Sequence, residues 1–411
     1  MMKIAGNYFW MACLLSVVSC GVSEIGDFTK DEANGIWTGP PAGGPSSSRS
    51  TTYVTAFDYP EGYDWRYNPE KGEVKCSLVV FTNGKPTLKV PVGNVYCVSD
   101  DPDMHRMIDG HLYTDYPTED QTIIKRDGKP YVIYEGRESI PDMVVHEDGL
   151  YTLGHRRNGK GFSLRVNGSV VMERESGYTF GKLSVVDSSV CFAFVEQIVT
   201  SGERLERYYC YMNGNVVQTA LREDVKKVWD IHFHLGKVKA LATLTGISDP
   251  VILSDSGIYT LPLPYGSIVV SGRIFSVGEQ LGAEIILSSK AGLSSALWLD
   301  SKLYHNFGNF QTVSSIWTGG EGVACVLNSR SSSSSGEVFR MGDSYILPLG
   351  MSSQGTAAIN MADGILTVGL SSVNGSRPVL WKDGEMEELD VNGYICTVSS
   401  VAQSSQVRVL D

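Results

Sequence analysis

The sequence predicts an all-β chain folded as a β-propeller of four-stranded antiparallel blades. Three observations predict it: a hairpin turn signal recurs eight times at near-constant spacing, each signal lies between short runs of alternating apolar and polar residues, and each end of the repeat region is an incomplete unit. The signals are Asn83-Gly84, Asp127-Gly128, Asn167-Gly168, Asn213-Gly214, Asp255-Ser256, Asp300-Ser301, Met341-Gly342 and Asp383-Gly384, spaced 40 to 46 residues apart. That is the repeat length of four-stranded propeller blades.

The turn chemistry agrees with its flanks. Asn-Gly and Asp-Gly tolerate the positive φ of the mirror-image turn that matches strand twist. Phe162 to Val166 enters the third turn and Ser169 to Glu173 leaves it, with the period-two alternation of a half-buried outer strand pair. Upstream, Asp109-Gly110, Asp148-Gly149 and Asp363-Gly364 mark a second hairpin in three of the repeats, giving four strands per repeat. Pro and Gly in segments such as Pro262 to Gly266 break the ladder where the chain changes blade.

At the ends, the first hairpin, from Cys76, lacks a full inner pair, while Tyr394 to Val398 and Gln406 to Leu410 read as strands without a hairpin. Joining them would complete one blade from both termini and leave no open sheet edge. Eight blades are therefore expected. Seven is the alternative, with the repeat around Asp255 or Asp300 absorbed as an insertion.

Residues 1–19 read as a lipoprotein signal peptide. Lys3 precedes an apolar stretch too short to span a bilayer, which closes on Val17-Val18-Ser19-Cys20. Small residues ending on a cysteine resemble the bacterial lipobox, which implies cleavage before Cys20 and lipidation of its thiol. Residues 20–52, rich in Gly, Pro and Ser, read as a disordered tether, and residues 53–411 as the propeller domain. Glu24, Asp27, Asp31 and Glu32 sit just after the cysteine and resemble a surface-export signal. The expected address is an outer-membrane lipoprotein facing the cell surface or the periplasm, touching the membrane through its lipid only.

Composition narrows the function. Lys plus Arg is 34 against 46 Asp plus Glu, a formal charge of −12, so no basic stripe is available for a phosphate backbone and nucleic-acid binding is excluded. No C-x-x-C pair occurs among Cys76, Cys97, Cys191, Cys210, Cys325 and Cys396. These read as small buried residues, with a Cys191–Cys210 disulfide permitted by export. Asp230, His232 and His234 alternate along one strand and are read as solvated side chains in preference to a metal set; Asp100, Asp101, Asp103, His105 and His111 do not match an EF-hand loop. No metal and no cofactor is assigned. Gly-x-Ser-x-Gly as a strand-turn-helix element, the P-loop and His-Glu-x-x-His are absent, so the sequence assigns no catalytic residue.

The candidate ligand site is the rim formed by the loops between second and third strands and by the crossovers of the first four repeats. The first of these loops carries Tyr59, Tyr63, Trp65 and Tyr67, and the next repeats add Asp115 and Tyr116, then His155, Arg156, Arg157 and Lys160, then Tyr178, Phe180 and Arg222. Aromatic faces beside Arg and Asp suit sugar rings and their hydroxyl or carboxylate groups.

With Trp381-Lys382-Asp383-Gly384 and Trp298-Leu299-Asp300 as a recurring turn, the repeat region resembles the propeller-forming lipoproteins of Bacteroidetes. The resemblance implies a fold and an address and brings no assigned residue. The expected function is a lipid-anchored envelope propeller that binds a glycan or a protein partner. The alternative is a carbohydrate-active hydrolase or lyase using Asp64, Asp115 or Glu119 with His155, Arg156 or Arg157.

Overall fold

The structure is a computed structural model. It describes residues 50–402 except 64–74, 95–104, 119, 148, 157–160, 187–188, 201, 213, 219–223, 256, 309–310, 320–321, 330–336, 341–344, 349–352, 362–363, 372–376, 383–384 and 394. The signal peptide and most of the tether lie outside the described residues.

Thirty-two strands form eight four-stranded antiparallel sheets. In blades 2 to 8 the strands follow one another in chain order from the axis outward, and the inner strands of neighbouring blades pack against each other. The molecule is an eight-bladed β-propeller. The repeats around Asp255 and Asp300 are complete blades, 5 and 6, which removes the seven-bladed alternative. In chain order each of the eight turn signals falls between the third and fourth strands of its blade and the three upstream signals between the first and second; Met341-Gly342 and Asp383-Gly384 themselves, with Asn213, Ser256, Asp148 and Asp363, lie outside the described residues.

Closure differs in detail from expectation. Blade 1 takes one strand from the C-terminus, Ile395–Ala402, as its inner strand, and three from the N-terminal side, Ser50–Asp58, Lys75–Thr82 and Lys85–Asn94. Ser50–Asp58 supplies the strand that the sequence reading left missing, and it starts three residues inside the span read as tether. Gln406 to Leu410 lies outside the described residues. The crossover just before the closing strand is tight: a Cβ on Gly393 would lie 2.0 Å from the carbonyl oxygen of Phe57, so only glycine fits.

The periodicity of the repeat rests on a local hydrogen-bond pattern as well as on turn dihedrals. In blades 1, 2, 3 and 6 the first turn residue folds its side chain onto the start of the second strand. Asn83 Oδ1 accepts from Thr52 N at 2.9 Å, Asp127 Oδ1 from Leu112 N at 2.9 Å, Asn167 Oδ1 from Leu150 N at 2.9 Å and Asp300 Oδ1 from Leu281 N at 3.1 Å. The backbone N–H of the same four turn residues returns to the carbonyl of the same four partners. Asn and Asp recur because they supply this acceptor and also tolerate positive φ, 44° to 50° at these four sites.

Inner strands obey a different rule. In seven blades, all but blade 2, the described inner strand is bulged against its neighbour, and a one-residue bulge reverses which side chains face the next blade. Polar groups of the inner strands form a relay of alternating charge between blades. Arg106 of blade 2 pairs with Asp142 of blade 3 at 3.3 Å, and Asp142 accepts from Leu183 N of blade 4 at 2.6 Å. Lys182 of blade 4 then pairs with Asp230 of blade 5 at 2.9 Å, and Asp230 accepts from Ile274 N of blade 6 at 2.9 Å. Arg273 of blade 6 reaches Val313 O of blade 7 at 3.4 Å. Each aspartate also binds the N–H of the residue after it, so each is held by a cation and two amides. Desolvation pushes the Asp142 carboxyl up and Arg106 opposes that rise.

Removing one member of such a buried pair leaves the other charge uncompensated, at a cost of about 3 to 5 kcal/mol. Asp142→Ala should lower unfolding stability by that amount in urea denaturation, and Asp142→Asn by less, since the amide retains an acceptor for Leu183 N. A loss below about 1 kcal/mol for Asp142→Ala, the upper range of a surface ion pair, would show that the relay is not structural.

Candidate functional site

Eight of the residues placed on the rim are described: Tyr59, Tyr63, Asp115, Tyr116, His155, Arg156, Tyr178 and Phe180. Cys20, Trp65, Tyr67 and Arg157 lie outside the described residues, as do Asp64, Glu119, Lys160 and Arg222.

Three of the eight come together where the ring closes, as packing. Tyr59 is 4% exposed and belongs to the apolar cluster between blades 1 and 2 with Cys76, Leu78 and Leu112, against which Tyr63 and Tyr116 also pack. The Tyr59 and Tyr63 rings stack at 5.2 Å. The segment before the closing strand clamps this loop: Tyr59 N donates to Asn392 O at 2.8 Å, and the Asn392 side-chain amide donates to Pro60 O at 2.8 Å and Tyr63 O at 3.1 Å. Lys125 Nζ covers the Tyr116 ring at 3.9 Å. These aromatics fasten the closure of the ring, because an extended loop there can shed its apolar surface only onto its own blade and the returning C-terminus.

The polar candidates are likewise committed. Asp115 is buried, which corrects its expected place on an open rim. His155 Nε2 meets Thr179 Oγ1 of blade 4 at 2.5 Å, and burial lowers its pKa. Arg156 pairs with Glu173 of its own blade, and the Tyr178 hydroxyl donates to Glu206 at 3.0 Å. The first four repeats therefore do not present, among the described residues, the open array of rings and charges that the sequence suggested.

The histidine strand is also corrected. Asp230 and His234 are buried between blades 5 and 6. His232 Nε2 and His234 Nδ1 each lie 2.8 Å from the Ser276 hydroxyl of blade 6, and His234 Nε2 donates to Glu279 O at 3.1 Å. Desolvation lowers both histidines, His232 to about 3, so both are neutral at physiological pH. His105 is neutral for the same reason, its pKa lowered to about 3. His111 pairs with Asp127 at 2.6 Å. Among the described residues no three His, Cys, Asp or Glu side chains form a metal-binding group. Cys191 and Cys210 are buried thiols not joined in a disulfide, two rungs out of register on adjacent strands.

The other end of the molecule, where first strands turn into second and third into fourth, carries a cleft that sequence reasoning missed. It has a volume of about 380 Å³ and lies between blades 5 and 6. Lys237 and Lys239 on the second strand of blade 5, Ile252 and Tyr259 on its outer pair, and Leu281 and the Asp300-Ser301 turn of blade 6 line it, with His234 and Leu235 at one lip. Ile252 and Leu281 continue the apolar cluster around Trp298 into the floor of the cleft. A signal was available in the sequence: Lys237-Val-Lys239 places two cations on one face of a strand whose next residue on that face, Leu241, is apolar.

Comparison with known proteins adds the fold. No family model and no curated protein matches this chain. Dihydro-heme d1 dehydrogenase NirN in complex with DHE is similar in structure, with a TM-score of 0.52 at 11% identity, over 82% of this chain and 74% of that one. The β-propeller domain of the Trilobed protease from Pyrococcus furiosus, described as having an open velcro topology, gives 0.42 at 11% identity, over 83% of this chain and 94% of that one. Acylaminoacyl peptidase from Pyrococcus horikoshii gives 0.44 at 11%, over 78% and 55%. The likeness is one of fold.

Replacing a buried aromatic by Ala costs about 3 to 5 kcal/mol. Tyr59→Ala should therefore lower thermal and urea midpoints sharply, with Tyr63→Ala smaller in the same direction. Unchanged midpoints would return these rings to the status of ligand contacts.

Proposed function

We propose that this chain is a lipid-anchored cell-envelope propeller that binds a glycan without transforming it. The observation that carries this reading is how its acids are used. Asp142 and Asp230 are buried in the relay. Glu138 is held by Nε and Nη2 of Arg165 at 3.1 Å and by Ser163 at 2.9 Å. Glu206 accepts from Val228 N of the next blade at 2.6 Å, and Glu284 is bonded to Arg273 and Ser295.

Hydrolysis of a glycoside needs two carboxyl groups facing each other across a substrate, about 5 to 9.5 Å apart. The carboxyl groups just named are sealed between strands. Among the described residues the one carboxylate lining the cleft is Asp300, whose oxygens already accept from Leu281 N and Gln280 Nε2. Lysines and an exposed ring without an acid pair suit recognition. The anchoring half of the reading rests on Cys20 and the residues before it, and the resemblance to Bacteroidetes lipoproteins supports the envelope address.

Two measurements test the two halves. The purified chain incubated for days with a polysaccharide panel should retain glycan and return it at its original length. Shortened or unsaturated products would replace this reading with the hydrolase or lyase, and retention by protein partners alone would replace glycan. In cells, Cys20→Ala should move the protein from the membrane fraction to the soluble fraction. Persistent membrane association would overturn lipidation.

A further inference from the structure

The cleft between blades 5 and 6 is more specific than a surface hollow. Its volume falls within the roughly 300 to 1,000 Å³ of small-molecule sites. Lys237 and Lys239 are two residues apart on one strand and so project to the same face. Neither is ion-paired among the described residues. Across the ladder they stand opposite His234 and His232 respectively. Like charges in that position repel, and the hairpin tolerates four basic side chains because the two histidines are held neutral between the blades. Positive charge is thus gathered on one face of a chain whose formal charge is −12.

The remaining walls are amphipathic. The Tyr259 ring is 43% exposed beside Ile252 and Leu281. The mouth is built on backbone that is energetically unfavourable. Ser301 takes φ +66° where the matching turns of blades 1, 2 and 3 use Gly84, Gly128 and Gly168, and Leu235 takes +50° while 66% exposed. A left-handed backbone is strained for a residue with a Cβ, and such residues cluster at binding sites. At this turn the substitution of serine for glycine adds a hydroxyl to the lining.

We propose that this cleft binds a carboxylate-bearing pyranose, with Lys237 and Lys239 holding the carboxylate, Tyr259 carrying the apolar face of the ring, and Ser301 meeting a hydroxyl. The proposal rests on the glycan-binding reading and names its site and sugar class. Two lysines supply charge to a carboxylate, and an aromatic ring with an apolar floor matches the C–H face of a sugar.

The test is isothermal titration of the full chain with glucuronate-, galacturonate- and sialate-bearing oligosaccharides, each beside its carboxyl-reduced counterpart. At least one acidic oligosaccharide should bind, its reduced counterpart at least tenfold more weakly, and added salt should weaken the acidic ligand selectively. The double variant Lys237→Ala/Lys239→Ala and the single variant Tyr259→Ala should each lose at least tenfold in affinity at an unchanged thermal midpoint. Lys237→Arg/Lys239→Arg should restore binding. An acidic sugar bound equally well by the Ala double variant would overturn the cleft as the site and leave glycan binding standing. Equal binding of acidic and reduced forms would overturn the sugar class alone. Failure of every acidic oligosaccharide, with neutral glycans still retained in the panel experiment, would overturn this proposal, whereas failure of all glycans would overturn the broader reading with it.

Discussion

Everything in this molecule depends on keeping eight separate sheets in one ring. Each blade is a small four-stranded sheet with little core of its own, and it becomes stable only when both of its faces are covered by neighbours. The ring must therefore close, and it does so through the pairing of Ile395–Ala402 with Ser50–Asp58. That single ladder converts a row of repeats with two exposed faces into a structure with none. The Tyr59–Tyr63 loop, Asn392 and Gly393 gather at this seam because the chain has to bring residues more than 330 apart in sequence into register there.

Away from the seam, inter-blade adhesion has two components. Apolar side chains fill the space between sheets, with Trp298, Trp381, Phe162 and Phe192 fully buried. Nearer the axis, where bulges leave inner-strand amides without ladder partners, buried carboxylates and hydroxyls take over. Asp142 and Asp230 each bridge three blades, and Glu206 and Ser295 each cap an amide of the next inner strand, Val228 N and Val313 N. An unpaired buried amide costs about 1 to 3 kcal/mol, so these acids are needed where they are. These carboxylates are spent on structure, each buried and bonded to backbone amides or to a cation.

The cleft between blades 5 and 6 is where the pattern relaxes. Apolar packing from Leu241 and Ile252 gives way to Lys237 and Lys239, and the neighbouring turn carries serine where six of the eight turn signals carry glycine. Departures from an internal repeat are informative because the majority pattern shows what the fold alone requires. Here the departure adds two cations and a hydroxyl to one opening.

The sequence by itself determined the repeat. Turn residues are local, since Asn or Asp followed by Gly sets backbone dihedrals within two positions, and their even spacing counts the blades whatever the tertiary contacts are. The outer strands were legible for the same reason, with one face buried and one in water. Only the tertiary structure decided the rest. Inner strands are covered on both faces by the neighbouring blades, so Asp230, His232 and His234 read as solvated side chains when they are in fact wedged against blade 6. Tyr59 and Asp115 read as an exposed rim, because a sequence shows an aromatic or an acid in a loop without showing what folds over it. The cleft could not be read at all. Its walls come from blades whose lining residues are up to 67 positions apart, between His234 and Ser301 in the numbering, and their proximity is a property of the closed ring.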